Sequence, residues 1–196
     1  MNNSTFDLLI HAGRVVCPRS DHDSPGSVGI SDGRIAAIDP PADSTATETL
    51  EFPDSVLLPG LVDLHAHPAC SGSKYGVDPD AHFLPRGVTT VLSQGDAGAD
   101  NWANYREETI EGSRTRVRLA ISISRHGESS ERPCLDDSDW LDVDSCVEAI
   151  ADGGDLIWGI AVNCSRASSG ATEPRLALDR ALQAARSTGK PLLYGL

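Results

Sequence analysis

The chain has 196 residues, 29 acidic against 16 basic, for a net charge of −13. That balance disfavours nucleic acid and anionic membranes as partners and favours solubility. Five irregularly spaced cysteines (Cys17, Cys70, Cys134, Cys146, Cys164) form neither a paired zinc-ligand pattern nor a disulfide framework, so reduced thiols in a cytoplasm are expected. The first residues, MNNSTFDLL, have no signal-peptide pattern, and no apolar run approaches the ~20 residues of a membrane helix.

Residues 1–58 read as β-structure. Strands at 6–10 and 14–17 are expected to flank a turn at His11-Ala12-Gly13, and strands at 27–30 and 34–38 to flank Ser31-Asp32-Gly33, where Asp-Gly is a hairpin signal. Residues 39–49 are polar and turn-rich, a surface loop. Residues 50–52 and 56–58 look like two further short strands around Pro53-Asp54. So few short strands bury too little apolar surface to fold alone.

From Pro59 the pattern changes to strands alternating with helices, which predicts parallel βα units over 59–196. The first strand is 61–67, stopped by Pro68. Side chains two apart share a face, so His65 and His67 lie beside Asp63, with Val62, Leu64 and Ala66 opposite. Two imidazoles so spaced can ligate one divalent cation such as zinc, iron or nickel. A second strand, 88–93, has the β-branched content of one buried on both faces. The loop 95–100 and a helix at 102–111 follow. The third strand is 117–124, and the polar loop 125–137 is long enough to suggest function or disorder. A helix opens near Ser145, where Ser145-x-x-Glu148 matches a capping box, and ends at Gly153-Gly154. The fourth strand is 156–162. The next helix has Thr172 as N-cap and Pro174 in its first turn; Leu178, Ala181, Leu182 and Ala185 form its apolar face, and Gly189 ends it. A fifth strand opens at Pro191, and the chain stops inside it at Leu196. A (β/α)8 barrel typically takes ~250 residues, so the expected class is α/β, with about five strands of a truncated barrel after a small β domain.

LLPGLVDLHAHP at 57–68 is preceded by FDLLIHAGRVV and GSVGISDGRIAAID and followed by GVTTVLSQGDAGADN. Together these resemble the amidohydrolase superfamily of metal-dependent hydrolases, in its dihydroorotase-like and N-acyl-amino-acid deacetylase-like branch, over 6–196. The resemblance implies that 1–58 is the N-terminal part of an incomplete β-sandwich and 59–196 the first half of the barrel. It also implies that His65 and His67 bind a divalent metal, zinc by expectation. Binuclear members add a carboxylated lysine on strand four and a histidine on strand five, and a strand-eight aspartate takes a proton from the metal-activated water. Here Ala161 stands in the lysine position, Gly195 in the histidine position, and no lysine lies between Lys74 and Lys190. One ion is therefore expected, with the general base beyond Leu196.

Barrel chemistry sits at the C-terminal ends of the strands. Candidates there are Ser93, Gln94, Ser124 and Asn163, with Asp96, Arg125 and His126 as substrate contacts. Asp96 and Asp100 read first as turn formers of the Gly-rich loop, and Cys164 as a buried thiol before a soft ligand. Two functional readings stay open. One is a hydrolase of a linear or cyclic amide, its partner a small-molecule substrate. The other is a non-catalytic scaffold that has lost metal ligands. Self-association into a homo-oligomer is compatible with both.

Overall fold

The computed structural model describes residues 5–129 and 131–195. Residues 1–4, Ser130 of the long polar loop and the terminal Leu196 lie outside the described residues. The chain separates into two compact units, Met1–Pro59 and Gly60–Leu196. Among the described residues no helix is long and apolar enough to cross a membrane.

The first unit is a four-stranded sheet in the order β3-β2-β1-β4, formed by β1 (Thr5–Cys17), β2 (His22–Ser31), β3 (Arg34–Ile38) and β4 (Thr45–Leu57). β1 pairs antiparallel with β2 and parallel with β4. Asp32 and Gly33 both take positive φ, 51° and 68°, as a tight β2–β3 hairpin turn requires. Ala12, Val15 and Val28 form a small buried cluster, with Ile30, Ile38 and Leu57 packed against it.

Two expectations are corrected here. The predicted turn at His11-Ala12-Gly13 lies inside the continuous β1, and Pro53-Asp54 lies inside the continuous β4, whose N-terminal part also takes up residues of the expected 39–49 loop. The punctuation marks an irregularity instead of a reversal. Register slips between Ala12 and Arg14 against β4, and a Cβ on Gly13 would sit 2.0 Å from the Pro53 carbonyl oxygen. Glycine permits that backbone approach at the bulge. Pro53 is tolerated because β4 is an edge strand.

The second unit is a five-stranded, all-parallel sheet in the sequential order β5-β6-β7-β8-β9, comprising Leu61–Ala66, Val88–Gln94, Arg116–Ser122, Ile157–Asn163 and Leu192–Gly195. Helices in the connections are α1 (Pro79–His82), α2 (Trp102–Tyr105), α3 (Val143–Gly153), α4 (Arg166–Ser169) and α5 (Pro174–Thr188); α2 runs on as a π-helical turn over Arg106–Glu111. This repeat of strand, helix and adjacent parallel strand is the build of a (β/α)8 barrel taken through five strands.

Alternation along the strands sorts the two faces. Leu119, Ile121 and Ile160 are wholly buried in the main core with Trp102, Tyr105, Cys146 and Ile150. Ala177, Ala181 and Ala184 of α5 join that core, their small side chains letting the helix lie close to the sheet. The intervening residues Leu92, Ala120 and Ala161, with Leu193, form a separate cluster on the other face. The expected burial of strand two on both faces holds only toward its end, since Thr89 is exposed and Val91, Leu92 and Ser93 are buried. Asp80 of α1 accepts the backbone N–H groups of Arg114 (2.9 Å) and Thr115 (2.7 Å) and the Thr115 hydroxyl (2.8 Å), tying α1 to the start of β7.

Helix starts differ from expectation. The α3 cap is Asp142, three residues before Ser145: its carboxylate accepts the Ser145 N–H and hydroxyl. α5 begins after Glu173 with Pro174 at its first position, and the Thr172 hydroxyl is buried without a partner in place of capping the helix.

Candidate active site

β5 runs out at Ala66 beside β6, which places His65 on its last turn of pleat and His67 just beyond it. Both rings line one cavity of about 310 Å³ at the C-terminal end of the parallel sheet. Gln94, Ser122, Ala161, Asn163 and Gly195 reach the same cavity. Each lies an even number of residues from Leu92, Ala120, Ala161 or Leu193, so the face opposite the helices becomes the cavity floor and wall.

The two imidazoles stand edge to face with ring centroids 6.3 Å apart, and Tyr75 packs at 5.4 Å on His67. His67 Nδ1 lies 2.9 Å from Asp96 Oδ1. The Asp96 side chain is 0% exposed and also accepts the hydroxyls of Ser73 (2.6 Å) and Ser93 (2.5 Å). The hydrogen bond His67 makes to the Asp96 carboxylate holds its imidazole above the usual histidine range; burial opposes the rise, and the charges of Asp96 and Glu128 add to it. Next to His67 in the chain, the Pro68 carbonyl accepts from the buried Tyr105 hydroxyl. Burial drives that phenol well above its ordinary pKa, so it remains a donor.

The loops after β6 and β7 interlock. Ser122 N–H donates to the Ala97 carbonyl (2.8 Å), Asp100 N–H to Arg125 (2.8 Å) and Glu128 N–H to Gly95 (3.1 Å). Gly98 packs directly on the Ser124 carbonyl. Gly127 takes φ +58°, and a Cβ there would lie 2.7 Å from Ala97. This arrangement turns Glu128 into the cavity, where it is buried and 3.4 Å from the Lys74 ammonium.

The sequence-read candidates fall into two groups. His65, His67, Gln94 and Asn163 line the cavity. Asp96 stands behind His67, and Ser93 points to Asp96 instead of the cavity. Arg125 and His126 lie away from the lining: both contact the Asp100 carboxylate, at 2.8 and 3.4 Å, and His126 packs on Trp140. Ser124 is buried with its hydroxyl unpartnered, and the Cys164 thiol is buried against the Pro174 carbonyl. The Asp63 carboxylate accepts the backbone N–H of His65. Glu128 was not singled out from sequence; the length of its loop and Gly127 before it were the available signals.

A cation fits His65 and His67 as two of its ligands. With Zn–N bonds of about 2.0–2.1 Å, two rings on one tetrahedral ion would have centroids about 5.3 Å apart, so the pair, 6.3 Å apart here, would have to close by about 1 Å to share an ion. The exposed His65 has room to swing. Among the described residues no group of three or more His, Cys, Asp or Glu side chains is placed to hold a metal, so as ligands these two imidazoles would be a partial set.

No family model matches the chain. A deacetylase of Agrobacterium fabrum is 32% identical over 142 residues, which cover 71% of this chain and 35% of the relative. Solved structures of an adenine deaminase (26% identity, TM-score 0.83) and a dihydroorotase (27%, TM-score 0.83) match 97% and 95% of this chain and 50% of their own. The chain thus spans from about a third to half the length of these relatives.

Proposed function

Because this chain belongs to the amidohydrolase superfamily, we propose that it carries the His-x-His portion of a centre that hydrolyses the carbon–nitrogen bond of a small linear or cyclic amide in the cytoplasm. The observation that carries the reading is the convergence of His65 and His67 on one cavity at the C-terminal end of a parallel barrel sheet, with His67 backed by a buried carboxylate. His65 and His67 would hold one divalent ion, zinc by ligand chemistry. When bound, such an ion supplies Lewis acidity toward a carbonyl oxygen and an acidified water.

The remaining wall suits a neutral polar substrate. Gln94 and Asn163 present amides, Ser122 a hydroxyl, and the Glu128 charge is offset by Lys74. Ala161 lies at the floor beside Gly95 and offers no donor atom. A second cation a few ångströms from the first, without a bridging anion, would be repelled by it. The metal count is therefore one.

Elemental analysis of the zinc-loaded chain tests this: about one zinc per chain is expected, lost in both His65→Ala and His67→Ala. Unchanged stoichiometry in both variants refutes the assignment. The scaffold reading is favoured by Ala161, Gly195 and the two-imidazole donor set. A chain that binds zinc through both histidines yet turns over no amide across a panel of acylated amino acids and cyclic ureides would support it.

A further inference from the structure

We propose that Asp96 is a positioning residue that fixes His67 as its Nδ1–H tautomer and so presents Nε2 to the cavity. An ionised carboxylate has lone pairs and no hydrogens, so all three of its partners must donate. The Ser73 and Ser93 hydroxyls can rotate to do so. His67 can do so only with the proton on Nδ1, which leaves the Nε2 lone pair free. A neutral imidazole in water prefers the opposite tautomer, so the buried acceptor selects the state.

Placement of the three donors makes the contact a joint. Ser93 is the next-to-last residue of β6, His67 follows β5, and Ser73 belongs to the loop that continues from β5, which also donates its Lys74 N–H to the Glu128 carbonyl. The carboxylate therefore locks the ring orientation together with the loop carrying Tyr75, whose ring covers His67. Without Asp96, His67 can rotate about its side-chain bonds and exchange tautomers. The effect on metal affinity rests on reading His67 as a ligand; the tautomer does not. Losing a partner that orients a ligating histidine typically weakens metal binding by about 10–100-fold.

The test is long-range ¹H–¹⁵N correlation on ¹⁵N-histidine-labelled, metal-free full chain, at a pH where His67 is neutral, with His67 assigned by the loss of its signals in His67→Gln. Wild type should show Nδ1 protonated and Nε2 bare. Asp96→Ala should show a mixed or reversed tautomer and a 10–100-fold weaker zinc affinity by chelator competition, whereas Asp100→Ala, an exposed acid of the same loop, should change neither. An Nε2–H tautomer in wild type overturns the proposal even if Asp96→Ala fails to fold. So does an unchanged tautomer in Asp96→Ala, whatever its zinc affinity. The expected tautomers in a protein that binds no zinc would uphold the role of Asp96 and sink the metal reading instead.

Discussion

Asp80→Ala removes a carboxylate that bridges two elements of the second unit. Thr115 is 1% exposed, so its backbone N–H would lose its partner where water cannot replace it, a cost of about 1–3 kcal/mol. Its hydroxyl loses a bond worth about 1 kcal/mol. Arg114 is exposed, and its N–H can be rehydrated at little cost. The expected loss is about 2–4 kcal/mol, or about 1–2 M in the urea midpoint for a slope near 2 kcal/mol/M. Tryptophan fluorescence reads the right unit, because Trp102, Trp140 and Trp158 all lie within Gly60–Leu196. Asp80→Asn keeps one acceptor oxygen and should lose roughly half as much.

Burial pushes the Asp80 carboxyl up, but the N–H groups of Arg114 and Thr115 and the Thr115 hydroxyl outweigh it, leaving the group below its usual value. A depressed folded-state pKa contributes stability above the unfolded value of about 3.9, and that stability is lost as pH falls through the folded value. The gap between wild type and Asp80→Asn should therefore be full at pH 6 and close below about pH 4. A midpoint for Asp80→Ala within about 0.3 M of wild type, or a gap that does not narrow at all as pH falls below about 4, would refute the reasoning.

Burial pushes the Cys134 and Cys146 thiols up to about 12, so iodoacetamide at pH 8 should label Cys17 and Cys70 in the native protein and reach those two only after unfolding; equal rates by mass spectrometry would contradict this. Gly98→Ala would drive a methyl to 2.0 Å from the Ser124 carbonyl oxygen, and the forced shift should cost about 1–3 kcal/mol by urea denaturation. Arg125→Ala removes an exposed ion pair with Asp100 and should change stability by less than about 0.5 kcal/mol; a larger loss would show that the pair anchors the loop.

The parts of the fold written in local pattern were legible. The Asp32-Gly33 hairpin, the strand–helix alternation after Pro59 and the paired histidines each rest on residues a few positions apart. Gly13 and Pro53 misled because they meet across strands: each looks like a turn alone, and only their pairing makes them facing irregularities within long strands. Ser145 looked like a cap because its spacing to Glu148 is right, yet the Asp142 carboxylate accepts the N–H of Ser145 itself and starts the helix three residues earlier. Asp96 was read as a turn former or a substrate contact. Its partners Ser73 and His67 come from the segment before β6, a distance no local pattern spans. Glu128 escaped for a similar reason, since its direction into the cavity depends on Gly127 fitting against Ala97.

The clasp between the loops after β6 and β7 bears on how such a protein could be re-engineered. Backbone hydrogen bonds join Ala97 to Ser122, Asp100 to Arg125 and Gly95 to Glu128, and two glycines sit where no side chain fits. Randomising or transplanting either segment by itself breaks partners held by the other. A productive library or loop graft would exchange residues 95–101 and 122–129 as one cassette, and single-loop chimaeras should be recovered mainly as misfolded protein.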